Sequence, residues 1–174
     1  MSNERSEWAR AFARQSASDF EIFQHLTAQP IFPSCHPLHY LQMACEKLAK
    51  AYRCRDESMP IADVQSSHIA FSKVVDRIVM SPELRSRYIG KDAQLKEIKR
   101  YSRLFARDVE RLAPAVDRDA VPQNAEYPWQ DALRIIAPCD YSFQLLGQLN
   151  TPEGRNFLKL VTTSIKDFSV ISGA

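Results

Sequence analysis

The chain has 174 residues, a formal net charge of +2, 45% apolar residues, and only four glycines beside ten prolines. That length suits one domain with a real core, and that apolar fraction excludes a disordered chain. The small net charge does not by itself imply a nucleic-acid partner, and no apolar run approaches the ~20 residues of a membrane span.

The N-terminal stretch MSNERSEWARAFARQ lacks an apolar core followed by a small-residue cleavage site, so no signal peptide is expected. Helical spacing of Trp8, Phe12, Phe20, Phe23 and Leu26 predicts a first helix over about Glu7 to Ala28, interrupted by the polar run Gln15 to Asp19. After the loop Gln29 to Pro33, Ser34 or His36 is placed to cap a second helix, with Pro37 in its first turn. In that helix Leu38, Leu41, Cys45, Leu48 and Tyr52 recur at three- and four-residue steps and line one face. Ala44 and Ala51 flank the stripe and would let a neighbouring helix approach. His39, Glu46, Lys50 and Arg53 hold the other side, with Glu46 four residues before Lys50. The helix should end near Arg55, before the polar segment Asp56 to Pro60.

Ser66 or Ser67 is placed to cap a third helix carrying Phe71, Val74, Val75, Ile78 and Val79. Ser81-Pro82-Glu83 reads as a fresh start of a short helix to about Ile89, ended by Gly90. A long helix over about Lys91 to Ala113 follows, with Leu95, Ile98, Tyr101, Phe105, Val109 and Leu112 inward. Residues 114–140 have no clear period and contain four prolines; they read as a long irregular loop, a length at which loops are often functional. Asp140 is placed to cap a short helix to about Leu149, and Thr151-Pro152-Glu153 opens a final helix carrying Phe157, Leu158, Val161, Ile165 and Phe168. The expected fold is all-α: an antiparallel up-and-down bundle of four to five helices, in one domain over residues 1–174.

The pattern A-x-E-K-x-x-K-A-Y, formed by Ala44, Glu46, Lys47, Lys50, Ala51 and Tyr52, resembles the second helix of HEPN domains. The piece SASDFEIFQHL resembles their first helix, where an aspartate commonly sits, here Asp19. HEPN domains are small helical bundles found in prokaryotic defence, toxin–antitoxin and nucleotidyltransferase-linked proteins. The resemblance implies a homodimer or a cytoplasmic protein partner, with a nucleotidyltransferase as the family-based guess. Catalytic members are metal-independent ribonucleases in which an arginine, often followed by a polar residue, precedes a histidine by a short spacer. Arginine clamps the phosphate and histidine moves protons near neutral pH. At the corresponding place this chain has Arg118-Asp119, with five residues between Arg118 and Asn124. An amide cannot serve as general acid or base there, and general acid–base catalysis typically contributes about 10²–10⁴-fold. The motif is degenerate. Arg118, Asp119 and Asn124 remain candidates for a residual polar groove, against a solvated loop as the plainer reading. A divergent ribonuclease borrowing His36 or His39 is the alternative from a different class.

Two further features concern binding. Lys96, Arg100, Arg103, Arg107 and Arg111 share one helix face, and residues 73–111 carry a local +5, leaving −3 for the remainder. Such a stripe would suit an RNA backbone. Glu97, Asp108 and Glu110 beside it, with no stacking aromatic interleaved, favour a solvated face. Glu126-Tyr127-Pro128-Trp129 would anchor its loop by burying two aromatics, with direct ligand contact by Glu126 and Tyr127 as the other reading.

Cys35-His36-x-x-His39 has no further spaced ligand pair, so capping and helix-start packing is its default and no metal is expected. Cys35, Cys45, Cys54 and Cys139 form no C-x-x-C and point to a reducing cytoplasm, and no glycine-rich phosphate loop is present, so no cofactor is expected.

Overall fold

The computed structural model describes residues 3–66, 68, 71–81, 85–86, 88–116 and 119–170. The chain is mostly helical, about 66%, with seven α-helices among the described residues and one two-stranded sheet. In chain order the helices are α1 (Asn3–Thr27), α2 (Cys35–Arg53), α3 (Ile61–Ser66), α4 (Ser72–Val79), α5 (Asp92–Glu110), α6 (Gln144–Gln148) and α7 (Pro152–Val170). Strands β1 (Trp129–Asp131) and β2 (Arg134–Ile136) lie between α5 and α6. Among the described residues no helix is long and apolar enough to cross a membrane.

The five-residue stripe of α2 is buried as its spacing predicts, and Ala44, Ala49 and Ala51 are fully buried beside it. Helix α1 packs chiefly on α2. Its buried face is Ala9, Ala13, Ser16, Phe20 and Phe23, again at three- and four-residue steps. Small residues occupy the first three positions, so the two helices approach closely. The polar run in α1 does not interrupt the helix. Ser16 turns inward and donates to the Ala44 carbonyl at 2.7 Å, and Asp19 accepts from Lys47 Nζ at 2.6 Å. Trp8, expected in the core, is instead partly exposed.

Helix α5 packs on α4 and α7, and α7 also reaches α1. Phe105 and Phe157 stack at 5.6 Å, and Phe71 meets Phe157 edge-on at 6.2 Å. These rings join α5 and α7 to the residue that opens α4. The buried side chains of α1, α2, α4, α5 and α7 form one contiguous cluster.

Several boundaries differ from the sequence expectation. Ser34 does not cap α2. Its hydroxyl donates to the Tyr141 carbonyl at 3.1 Å and accepts the Phe143 N–H at 3.3 Å, which fastens the loop before α6 to the start of α2. Helix α3 forms directly after Pro60, in a stretch with too few residues to show a period. Helix α4 starts at Ser72, and of the two serines expected to cap it, Ser66 ends α3 and Ser67 lies outside the described residues. The role falls to Glu110, at the end of α5, whose carboxylate accepts both the N–H and the hydroxyl of Ser72. The short helix expected over 81–89 falls partly outside the described residues; Gly90 beyond it has φ +74°, the left-handed turn its sequence suggested. Thr151 does cap α7, accepting the Gly154 N–H at 3.2 Å, with Pro152 in the first turn.

Residues 114–140 are not wholly irregular. β1 and β2 form an antiparallel hairpin with Asp131 opposite Arg134, leaving the two-residue loop Ala132-Leu133. Ala132 supplies the positive φ that tight hairpin loops require, at 51°. The hairpin escaped detection because three-residue strands are too short to show alternation. Asp140 does not start a helix either: Pro138–Asp140 is a single 3₁₀ turn, and α6 begins at Gln144.

Candidate functional site

The polar side of α2 organises the region that the sequence motifs point to. Glu46 is its hub. Its Oε1 lies 3.3 Å from Lys50 Nζ, and its Oε2 lies 3.1 Å from Gln42 Nε2 and 3.2 Å from His68 Nδ1. Lys50 also donates to the Gln65 carbonyl at the end of α3. Lys47 is spent on Asp19 of α1, an ion pair with both side chains largely out of solvent. The two lysines of the E-K-x-x-K pattern thus tie α2 to its neighbours on either side.

Toward the start of α2, His39 Nδ1 lies 3.5 Å from Glu126 Oε1. Glu126 therefore meets this polar face, and Ala113 and Val116 meet it further along, beside Gln42 and Glu46. Between α2, His68, Phe71 and the end of α5 is a cleft of about 100 Å³. Gln42, Glu46, His68 and Glu110 line it with polar groups. Gln42 is buried, and its Oε1 has no hydrogen-bond partner among the described residues. Cys45 also lines the cleft; burial pushes its thiol far up, and the Glu110 carboxylate adds to this. Burial likewise raises Cys35, with Cys139 nearby adding to it, and raises Cys54. None of these three is an activated thiolate.

The degenerate motif can be placed only in part. Arg118 lies outside the described residues. Asp119 is exposed. Asn124 is 2% exposed, and its amide is engaged in its own loop. Nδ2 donates to the carbonyls of Pro122 and Tyr127, both at 3.1 Å. Oδ1 accepts the N–H groups of Glu126 at 3.0 Å and Tyr127 at 2.7 Å. The solvated-loop reading therefore fails for Asn124: a buried amide replaces the secondary structure that the loop lacks.

The aromatics after it divide. Trp129 is buried and meets Tyr141 at 5.2 Å and Phe143 at 6.3 Å, whereas Tyr127 is 55% exposed. The pair expected to anchor the loop is thus one ring from this segment and two from beyond the hairpin. Trp129 Nε1 is buried and has no acceptor among the described residues.

The basic face of α5 is largely committed within the protein. Arg103 and Lys99 both bind Asp76 of α4. Arg100 pairs with Glu97 at 3.2 Å and lies 4.2 Å over the Tyr101 ring, so an aromatic does stand among these cations. Arg111 pairs with Asp108 at 3.5 Å. Lys96 and Arg107 are exposed and make no ion pair among the described residues. At the start of α2, Cys35 is buried, His36 is exposed and His39 turns to Glu126, and no three His, Cys, Asp or Glu side chains converge among the described residues.

Gln42, His68 and Glu110 are the cleft residues that the sequence did not single out. Gln42 lies beside the motif with no signal of its own. Glu110 reads from sequence as an acid diluting the basic stripe. His68 is 22 residues from Glu46 and meets it only through the fold.

Comparison with protein-family models, with curated proteins and with solved structures finds no match for this chain.

Proposed function

We propose that this chain is a non-catalytic, HEPN-like helical protein, an antiparallel bundle that serves as a binding or scaffold module for a protein partner. Asn124 carries the reading. It stands where the ribonuclease motif resembled by Arg118-Asp119 would place histidine, it has no acid–base capacity near neutral pH, and four hydrogen bonds hold its amide inside its own loop. The E-K-x-x-K residues support a structural role in the same way, since Glu46, Lys47 and Lys50 all bind within the protein. By family resemblance the partner is a second copy, a nucleotidyltransferase-type protein or a toxin–antitoxin counterpart. The intramolecular pairing along α5 weighs against RNA as the main ligand.

The test incubates purified protein with mixed RNA beside an Arg118→Ala control. No Arg118-dependent cleavage is expected. Cleavage abolished by Arg118→Ala would replace this reading with a divergent ribonuclease. Retention of RNA at low salt, lost on charge reversal of Lys96 and Arg107, would replace it with an RNA-binding module.

A further inference from the structure

We infer that the cavity walled by the end of α4, the first half of α5 and the first half of α7 binds a small organic anion with an apolar body, a carboxylate or a phosphate monoester. The inference goes beyond the partner-binding reading and does not depend on it.

The volume sets the size of the ligand. The cavity measures about 290 Å³, at the small end of the roughly 300–1,000 Å³ typical of ligand pockets. A water takes about 30 Å³ of liquid, so there is room for about ten groups of that size. An alkyl chain of about eight carbons with one charged head has that bulk.

The floor is apolar. Val79 and Leu160 are buried in it, whereas Leu95 and Ile98 are only half-buried. The last two present apolar surface inside a concavity, and a ligand's chain lying on them removes that surface from water.

The rim selects the charge. Lys91 precedes α5 and Gln94 lies in its first turn; Asn156 and Lys159 come from α7. All four are exposed, and among the described residues none of their side chains makes a hydrogen bond or an ion pair. Nor does any carboxylate line the cavity among the described residues. Lysines at other contacts between helices are neutralised: Lys47 by Asp19, and Lys99 by Asp76. Lys91 and Lys159 instead border one cavity from two helices with their charges unanswered. An ammonium has three donors and no acceptor, so its complement is a group that only accepts, and an ionised one bonds about twice as strongly as a neutral one. The Gln94 and Asn156 amides add donors to the same rim. A cationic ligand would meet two like charges, and a neutral chain would leave both ammoniums without a partner.

Four probes test the inference against the intact protein. Octanoate and octyl phosphate carry the two head groups, 1-octanol removes the charge, and inorganic phosphate removes the chain. The readout is the ¹H–¹⁵N spectrum, followed at the backbones of Leu95, Ile98, Leu160 and Thr163. Saturable shifts are expected there with octanoate, octyl phosphate or both, and the tighter of the two identifies the head group. Octanol and inorganic phosphate should each bind about tenfold more weakly or worse. Lys91→Gln with Lys159→Gln, both at exposed positions, should lower the anion to the level of octanol in a spectrum that stays dispersed. Lys73→Gln removes an exposed charge of α4 that does not line the cavity, and should leave binding unchanged. The inference is overturned by the absence of saturable shifts with either amphiphile, by octanol or inorganic phosphate binding as tightly, by an undiminished double variant, or by an equal loss in Lys73→Gln. None of those results touches the non-catalytic reading, which falls only to the RNA assays.

Discussion

Asn124 shows how much one buried polar side chain organises. Around it the chain has no helix or strand, yet backbone donors and acceptors must be satisfied. Its amide serves two N–H groups and two carbonyls at once. Asn124→Ala should destabilise the protein by about 2–6 kcal/mol, taking about 0.5–1.5 kcal/mol for each of the four hydrogen bonds, as read by urea unfolding. Asn124→Asp, which keeps the acceptor but sets a buried carboxylate oxygen against the Pro122 and Tyr127 carbonyls, should cost at least as much. Asp56 shows a residue-scale effect of charge. The Ser58 hydroxyl at 2.6 Å and the Arg77 guanidinium at 3.0 Å hold its carboxyl down at about 2, against an ordinary 3.8. The folded pKa is depressed, so the unfolded chain takes up the proton first on acidification. The stability that Asp56 contributes is therefore complete above about pH 3.8 and is lost as pH falls toward about 2. The difference in unfolding free energy between wild type and Asp56→Asn should be flat above that range and shrink within it.

Between elements, Gly154, in the first turn of α7, lies tight against the end of α6. A Cβ built there would lie 2.3 Å from the Gln148 carbonyl oxygen and 2.5 Å from Leu149 Cα. Both are backbone atoms and cannot move aside as a flexible side chain would. Gly154→Ala should therefore destabilise by about 1–3 kcal/mol or more, despite alanine's better helix propensity, by displacing α6 from the start of α7. Thermal unfolding checks this; a stabilised variant would mean that the connection between α6 and α7 relaxes freely. The same scale explains the E-K-x-x-K pattern. Its charges join α2 to α1 through Lys47 and Asp19, to α3 through Lys50, and to His68 through Glu46. Ala125, whose N–H donates to the Leu112 carbonyl at 3.0 Å, and Glu126, which faces His39, hold the end of that loop between α5 and α2.

Across the whole molecule, Phe157 is the side chain through which α7 meets both α5 and the start of α4, and it is fully buried. Phe157→Ala removes one ring of a three-ring cluster and leaves a cavity, at a cost of about 3–5 kcal/mol. A single cooperative loss of helical signal at lower temperature is the expected outcome. Loss confined to one part of the melting curve would mean that α7 is not integral to the core.

What the sequence by itself determined is the helical class and the inward face of its longest regular stretches. Leu38 to Tyr52 and Phe105 to Leu112 repeat their apolar residues over several turns, and a repeat of that length admits one burial pattern. It also marked Thr151-Pro152-Glu153 as a helix start, because the residues that open a helix lie within one turn of one another. The hairpin at Trp129–Ile136, the cap that Glu110 gives α4, the inward turn of Ser16 and the cleft around Gln42 were decided only in three dimensions. Each depends on groups far apart in the chain, and no local spacing records them. Asn124 combines both cases. Its identity shows in the sequence that the expected histidine is missing, whereas the four bonds that bury it exist only once the loop has closed around it.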